Sequence, residues 1–333
     1  MYVVVGVQRH WQRRPDDSFR TALIHCLPLR LASRVWGWLN HLTLPVFARA
    51  PLYQMWASAY DCNLEEMQYP LEHYENLAAF FSRPLRDGAR PVDASAEMVS
   101  PVDAVVTHFG SVSAAGTLEQ IKGSSYSLPE FLGRAPDALL PGNQLYFCVL
   151  YLAPGDYHRV HSSVDWSVER RHHVPGQLLS VAPDFLRRVP NVFASNERIV
   201  LSGSWARGFY SLTSVGATNV GSIKLVHEPH VATNMGFAHV AEPYGSGLGG
   251  YNREISPALP LRRGDEVARF ELGSTVVLVF EAPADFGFAP TAGARIRVGE
   301  ALGACGRGWP SAVPAPKSGS GKSAKRAKIA VEQ

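Results

Sequence analysis

The stretch Glu271-Leu272-Gly273-Ser274-Thr275 carries the most specific chemistry in the chain, because it sets a glycine before a serine at the entrance to the apolar run Val276 to Phe280. Glycine takes up left-handed or strained backbone geometry without steric cost, so the serine hydroxyl can be turned onto the carbonyl carbon that precedes it. Ser274 is then placed to attack its own peptide bond. Such an attack needs a base, and a histidine held by a carboxylate is the usual arrangement for deprotonating a hydroxyl. Histidines occur in Asp156-Tyr157-His158-Arg159-Val160-His161, which follows an apolar run and the turn Ala153-Pro154-Gly155. On a helix His158 and His161 would share a face; on an extended segment they would point to opposite faces. A carboxylate occurs in the turn Ser100-Pro101-Val102-Asp103, where the plain alternative is a residue that only bends the chain. Asp103, His161 and Ser274 could supply the set.

Other candidates read as structural. Gly245-Ser246-Gly247-Leu248-Gly249-Gly250 satisfies G-x-G-x-x-G, but Glu242-Pro243-Tyr244 precedes it and prolines follow, without the strand and helix that a dinucleotide site requires. It reads as a glycine loop. No serine sits in G-x-S-x-G, which weakens an ordinary esterase. His172-His173 lacks cysteines or carboxylates at ligand spacing, so no metal site is expected.

The elements that must position these residues fall into three stretches. Residues 1–41 carry six arginines against Asp16 and Asp17, and Leu27, Leu31, Val35, Trp38 and Leu42 recur at spacings of three and four. That pattern is a basic amphipathic helix, fit either for a membrane surface or for packing on the rest of the protein. From Pro51 to Phe81 the apolar spacing stays helical through Trp56, Tyr60, Leu64, Met67, Leu71, Tyr74 and Leu77. Beyond Arg83 to Pro91 short apolar runs bounded by Gly, Pro, Ser or Asp predict strands, at Val102 to Val106, Tyr146 to Leu152, Arg198 to Leu201, Phe209 to Val215 and Thr275 to Phe280. The expectation is an α+β protein with a helical region over 1–92, a β-rich domain over 93–304 and a low-complexity basic tail over 305–333.

The totals agree with a folded enzyme-sized chain. At 333 residues, 46% apolar and 18% charged, disorder over most of the length is excluded. The net charge of +3 comes from the last 17 residues, which alone hold +4, so no basic groove for nucleic acid is expected. Cys26, Cys62, Cys148 and Cys305 are too scattered for a disulfide framework and suit a reducing compartment. No apolar run approaches the length that spans a bilayer.

Taken together, Ser100-Pro101-Val102-Asp103, Tyr157-His158-Arg159-Val160-His161, Val215-Gly216-Ala217-Thr218-Asn219-Val220-Gly221-Ser222-Ile223 and Leu272-Gly273-Ser274-Thr275 resemble the signature set of phosphatidylserine decarboxylases. The resemblance covers roughly residues 30–303, including Lys122-Gly123 with Tyr126-Ser127-Leu128 and the closing Val298-Gly299-Glu300-Ala301-Leu302-Gly303, and is closest to the mitochondrial type. Two departures stand beside the matched residues: Ala104, where the family usually has glycine, and Ser163, where it usually has proline.

The resemblance implies a proenzyme that cuts itself between Gly273 and Ser274 into a β chain, 1–273, and an α chain, 274–333, which remain associated. Ser274 becomes a covalent pyruvoyl group. By motif, Asp103 orients His161, His161 takes the Ser274 proton, and the alkoxide attacks Gly273. The pyruvoyl carbonyl then forms a Schiff base with phosphatidylserine and accepts the charge left by decarboxylation, giving phosphatidylethanolamine. His158 is the candidate proton donor or carboxylate-positioning group. The resemblance also implies an anionic mitochondrial inner-membrane surface as partner, a possible homodimer, and a presequence and anchor longer than the N-terminal part of this chain. A non-maturing lipid-surface homologue, or a serine hydrolase using His161 and Ser274, are the alternatives.

Overall fold

The computed structural model describes residues 29–113, 116–121, 124–136, 139–186, 189, 191–218, 222–231, 233–234, 251–271 and 274–308. The fold is α+β, with the longest helices first, then a large antiparallel sheet whose strands are interrupted by short helices at Leu128–Leu132, Pro183–Leu186 and Val192–Ser195. The glycine loop at 245–250, Lys122-Gly123, Cys26 and the tail beyond 308 lie outside the described residues.

Helix α1 (Leu29–Asn40) forms where the basic amphipathic pattern predicts a helix. Its apolar stripe faces outward: Leu31, Val35 and Trp38 are 58, 51 and 64% exposed, while the small polar Ser33 and the Asn40 side chain are buried. Helix α2 (Val46–Tyr60) starts after Pro45 and ends at Asp61, whose left-handed backbone (φ 56°) terminates it. The helical spacing read through to Phe81 is therefore interrupted. Pro70 opens a short 3-10 turn at Leu71–His73, and a separate helix α3 (Leu77–Phe81) is capped by Asn76, whose Oδ1 accepts from the Ala79 N–H at 2.9 Å. The spacing marks burial at most of its positions, but Tyr60, at the end of α2, is 43% exposed. Met67 and Tyr74 join Tyr53 and Phe80 in a small core of their own, with Leu64 and Leu71 packed against it.

The strands follow as β1 (Met98–Val99), β2 (Ala104–Ser111), β3 (Thr117–Ile121), β4 (Ser124–Ser127), β5 (Asn143–Leu152), β6 (Arg159–His161), β7 (Trp166–Val174) and β8 (Arg198–Trp205). The remainder are β9 (Gly208–Val215), β10 (Ile223–Leu225), β11 (Tyr251–Leu261), β12 (Glu266–Phe270), β13 (Ser274–Pro283), β14 (Phe286–Phe288), β15 (Arg295–Ile296) and β16 (Ala301–Cys305). Eight of them form one sheet in the order β11-β7-β8-β9-β13-β5-β2-β15; β10-β12-β6 and β1-β16-β14 form smaller sheets.

Strand β13 lies in the middle of the large sheet, paired with β5 and β9. Val276 to Phe280 are all fully buried, which explains a continuous apolar run where a half-exposed strand would alternate. Each such side chain contributes about 1.5–3 kcal/mol by leaving water. Ser274 is the first residue of this strand, opposite Leu152.

The helical region and the sheet meet at the turn before His158. A Cβ on Gly155 would collide with the Tyr60 carbonyl at the end of α2, so only glycine allows this approach. Phe81 joins the main core, and Trp56 packs against both clusters.

Candidate active site

His161 ends β6 with its backbone N–H on the Pro101 carbonyl at 2.8 Å, which brings the segment Ser100 to Asp103 alongside. Its ring is gripped by the turn before β12, where Gly264 has the positive φ (94°) such a tight turn demands. His161 Nδ1 lies 2.8 Å from the Gly264 carbonyl oxygen. A carbonyl can only accept, so Nδ1 carries the proton and Nε2 keeps its lone pair. That lone pair accepts from the Tyr157 hydroxyl at 2.9 Å. Burial pushes the His161 pKa below its ordinary value, opposed by the Gly264 hydrogen bond and, through space, by Glu266 and Asp103. The ring is neutral at pH 7, the state a general base requires.

Asp103 sits at the start of β2, but its carboxylate is not hydrogen bonded to His161. It accepts from Arg90 Nε at 2.9 and 3.1 Å, from Arg90 Nη2 at 2.5 Å and from the Val298 N–H at 2.9 Å. Arg90 is held in turn by Glu66 at 2.7 Å. The resemblance implies that Asp103 orients His161; in the structure Gly264 and Tyr157 hold the ring, and the Asp103 charge only opposes the lowering of its pKa, after the Gly264 hydrogen bond and Glu266.

His158 diverges from His161, as an extended segment dictates. It is fully buried against Phe81, ring centroids 4.0 Å apart. Nδ1 donates to the Asp156 carbonyl at 2.7 Å, and Nε2 has no partner. Burial pushes its pKa down to about 3, with the Asp156 hydrogen bond opposing, so this ring is neutral too.

The approach to the Gly-Ser bond runs past His158. The Phe270 N–H donates to the His158 carbonyl at 2.9 Å, and the Glu271 N–H to the Ser222 carbonyl at 3.2 Å. In the β6–β12 register His161 faces Glu266, so His158 is the histidine whose main chain meets the end of β12. Leu272, Gly273 and the Ser274 side chain lie outside the described residues. Ser222, in the 215–223 motif, accepts this hydrogen bond with its carbonyl and so ties the motif to the strand end leading to the bond.

His172 and His173 lie elsewhere on the sheet, on β7. His173 Nε2 meets Glu197 at 2.8 Å, a buried pair, and burial pushes the His172 pKa down to about 4. Arg90 and the Gly264 carbonyl carry no signal in the sequence, whereas Tyr157 and Val298 stand inside matched segments whose order alone does not reveal their contacts with His161 and Asp103.

A neutral histidine whose main chain meets the strand leading to a Gly-Ser bond, itself at the head of a buried central strand of an α+β fold, is an arrangement with the parts of an enzyme site. The chain belongs to the phosphatidylserine decarboxylase family: residues 77–304 match the family model described as Phosphatidylserine decarboxylase. It is 42% identical over 318 residues to the mitochondrial phosphatidylserine decarboxylase proenzyme of Cricetulus griseus, covering 88% of this chain and 74% of that protein. It is 39% identical over 352 residues to the mitochondrial proenzyme 1 of Arabidopsis thaliana, covering 87% and 74%. For the mitochondrial proenzyme 1 of Saccharomyces cerevisiae the identity is 36% over 365 residues, covering 84% and 73%.

Proposed function

We propose that this chain is a self-processing mitochondrial phosphatidylserine decarboxylase, a carboxy-lyase that converts phosphatidylserine to phosphatidylethanolamine. The observation that carries the reading is the family match across the segments bearing Asp103, His158, His161 and the Gly273-Ser274 bond. In the processing step the Ser274 hydroxyl attacks the Gly273 carbonyl and gives up its proton to an imidazole. His161 is the base assigned by motif: with Nδ1–H fixed on Gly264, Nε2 is the nitrogen that takes the proton, once Tyr157 yields its place. The negative charge of Asp103 favours the imidazolium that results. The Gly273 acyl group passes from the Ser274 nitrogen to its oxygen, which breaks the amide and forms an ester; β-elimination then releases the β chain 1–273 as a carboxylate and leaves a dehydroalanine, whose hydrolysis gives off ammonia and leaves the α chain 274–333 with a pyruvoyl N-terminus.

A pyruvoyl group made from Ser274 supplies the electron sink that decarboxylation of an amino acid requires. The residues present fit that group, because the buried Nε2 of His158 is unpartnered and the ring is neutral. With Nδ1 committed to Asp156, His158 Nε2 must accept a proton before it can donate one. The substrate ammonium is the proton source, and the carbon that has lost carbon dioxide is the recipient.

The outward stripe of α1, with Val46, Phe47 and Met55 exposed on α2, supports a lipid surface as the partner that covers it. Among the described residues no helix is long and apolar enough to cross a membrane. The inner membrane is the surface proposed, since the relatives are named mitochondrial.

Intact-mass measurement of the purified wild type beside Ser274→Ala tests the reading. Two chains, the smaller with a blocked N-terminus, are expected from the wild type, and one uncut, inactive chain from the variant. A wild type that stays whole would instead point to a non-maturing homologue, or to a hydrolase if it labels at Ser274 with a phosphonate.

A further inference from the structure

Three cations stand side by side across the small sheet that leads to the Gly-Ser bond. In the register of β10, β12 and β6, Lys224 pairs with Arg269, and Arg269 pairs with Arg159. Residues directly paired across strands lie on one face, so all three side chains share it. The neighbours on either side, Ile223 with Phe270 and Leu225 with Ala268 and Val160, are buried on the opposite face. Like charges directly opposite on a sheet are destabilising, and a carboxylate normally intervenes. Here Glu266 neutralises only Arg159, at 2.7 Å, and Arg159 also donates to the Ser82 carbonyl. Among the described residues neither Arg269 nor Lys224 has a carboxylate partner.

Two members of the row, Arg159 and Arg269, wall a cavity of about 530 Å³ together with Glu271, with His41, His73 and Tyr69 on the other side; Lys224 stands next to Arg269 outside the lining. Glu271 is turned to His41, 3.1 Å from its Nε2, and so does not serve Arg269. The exposed Leu42 and Tyr69 adjoin these histidines on the helical region, so the cavity lies beside apolar surface as well as positive charge.

We propose that this cavity binds the phosphodiester of the phospholipid, with Arg269 as the residue that grips it and Lys224 extending the positive field. The proposal rests on the decarboxylase reading. In a serine phospholipid the phosphorus is three bonds from the carbon that loses carbon dioxide, so a phosphate grip must stand close to Ser274. Arg269 is five residues before Ser274 in the chain, on the strand that delivers it. A guanidinium offers two parallel N–H donors to a phosphate, which a lysine cannot match.

The test uses mature enzyme and dihexanoyl-phosphatidylserine below its micelle concentration, so that membrane docking plays no part. Arg269→Gln is expected to cut itself into two chains and then show KM raised by about tenfold or more, with kcat changed less. Arg269→Lys should recover part of that loss, and Lys224→Gln should show a smaller rise. Inorganic phosphate should inhibit the wild type competitively with the lipid and lose potency against Arg269→Gln. An unchanged KM in Arg269→Gln overturns the proposal. So does phosphate inhibition that is not competitive with the lipid, which would mark a free-phosphate site. An Arg269→Gln chain that stays uncut while Lys224→Gln matures with wild-type KM would assign the row to processing and also overturn it. A wild type that matures and releases carbon dioxide keeps the decarboxylase reading intact in each of those cases, whereas a wild type that does neither removes the reading and the proposal with it.

Discussion

In α1 and α2 one set of large apolar side chains faces outward, with Trp38 at 64% and Phe47 at 84% exposure, whereas in β13 five consecutive apolar residues are fully enclosed. Both regions are comparably apolar in sequence, yet they bury different things. The helical region closes a small core around Tyr53, Met67, Tyr74 and Phe80, and leaves a second apolar face uncovered. The sheet covers both faces of its central strand. The difference is that the sheet encloses its apolar residues within the chain, while among the described residues α1 and α2 keep an apolar face exposed, the kind of surface on which a partner docks.

The sharpest way to break this comparison is to remove packing from the enclosed side. Leu278→Ala, in the middle of β13, should cost about 2–5 kcal/mol and lower the melting temperature, because the neighbouring strands cannot collapse into the space. A melting temperature within a degree of wild type would mean that the strand is not the closed element described. On the open side the expectation reverses. Replacing Trp38 and Phe47 together by Ser should leave the melting temperature almost unchanged and weaken binding to vesicles containing anionic lipid by at least about tenfold. Sedimentation with vesicles reads this, and equal binding by the double variant would remove α1 and α2 from the lipid interface.

The smallest effect is expected where the two regions meet, at the turn that rests Gly155 on Tyr60 and carries Tyr157 towards His161. The Tyr157 hydroxyl donates to the lone pair of neutral His161 and so disfavours protonation of the ring. Tyr157→Phe removes that bond, and the His161 pKa must rise. Self-cleavage needs the neutral ring, so the wild-type rate should be flat near pH 7 and fall only below the ordinary histidine pKa of 6.5, because burial lowers the folded value. In Tyr157→Phe the acid limb should move to higher pH by at most about one unit, the equivalent of one neutral hydrogen bond. Cell-free synthesis at fixed pH, with the two chains resolved over time, measures it. A limb that stays in place would show that His161 is not the base.

Much of this site was legible in the residues themselves. The Gly-Ser pair, the two histidines and the strand that begins at Ser274 are local features, and the run Val276 to Phe280 needs no partner to be recognised as a buried strand. The α1 pattern likewise announces an amphipathic helix, and the chemistry of a serine attacking its own peptide bond follows from side-chain type. The periodic spacing from Pro51 to Phe81 located burial at most of its positions, Tyr60 excepted, but it could not distinguish one long helix from a helix stopped at Asp61 and restarted at Asn76.

Tertiary structure alone decided which atoms meet. His161 takes its tautomer from a carbonyl 103 positions away, and Asp103 is held by an N–H 195 positions away. It also decided that the stripe of α1 faces outward, and that Lys224, Arg269 and Arg159 fall into one row. Amino-acid order records covalent neighbours and the periodicity of one element. Hydrogen bonds and charges between distant elements leave no periodic trace, so their pairing exists only once strand register has been set.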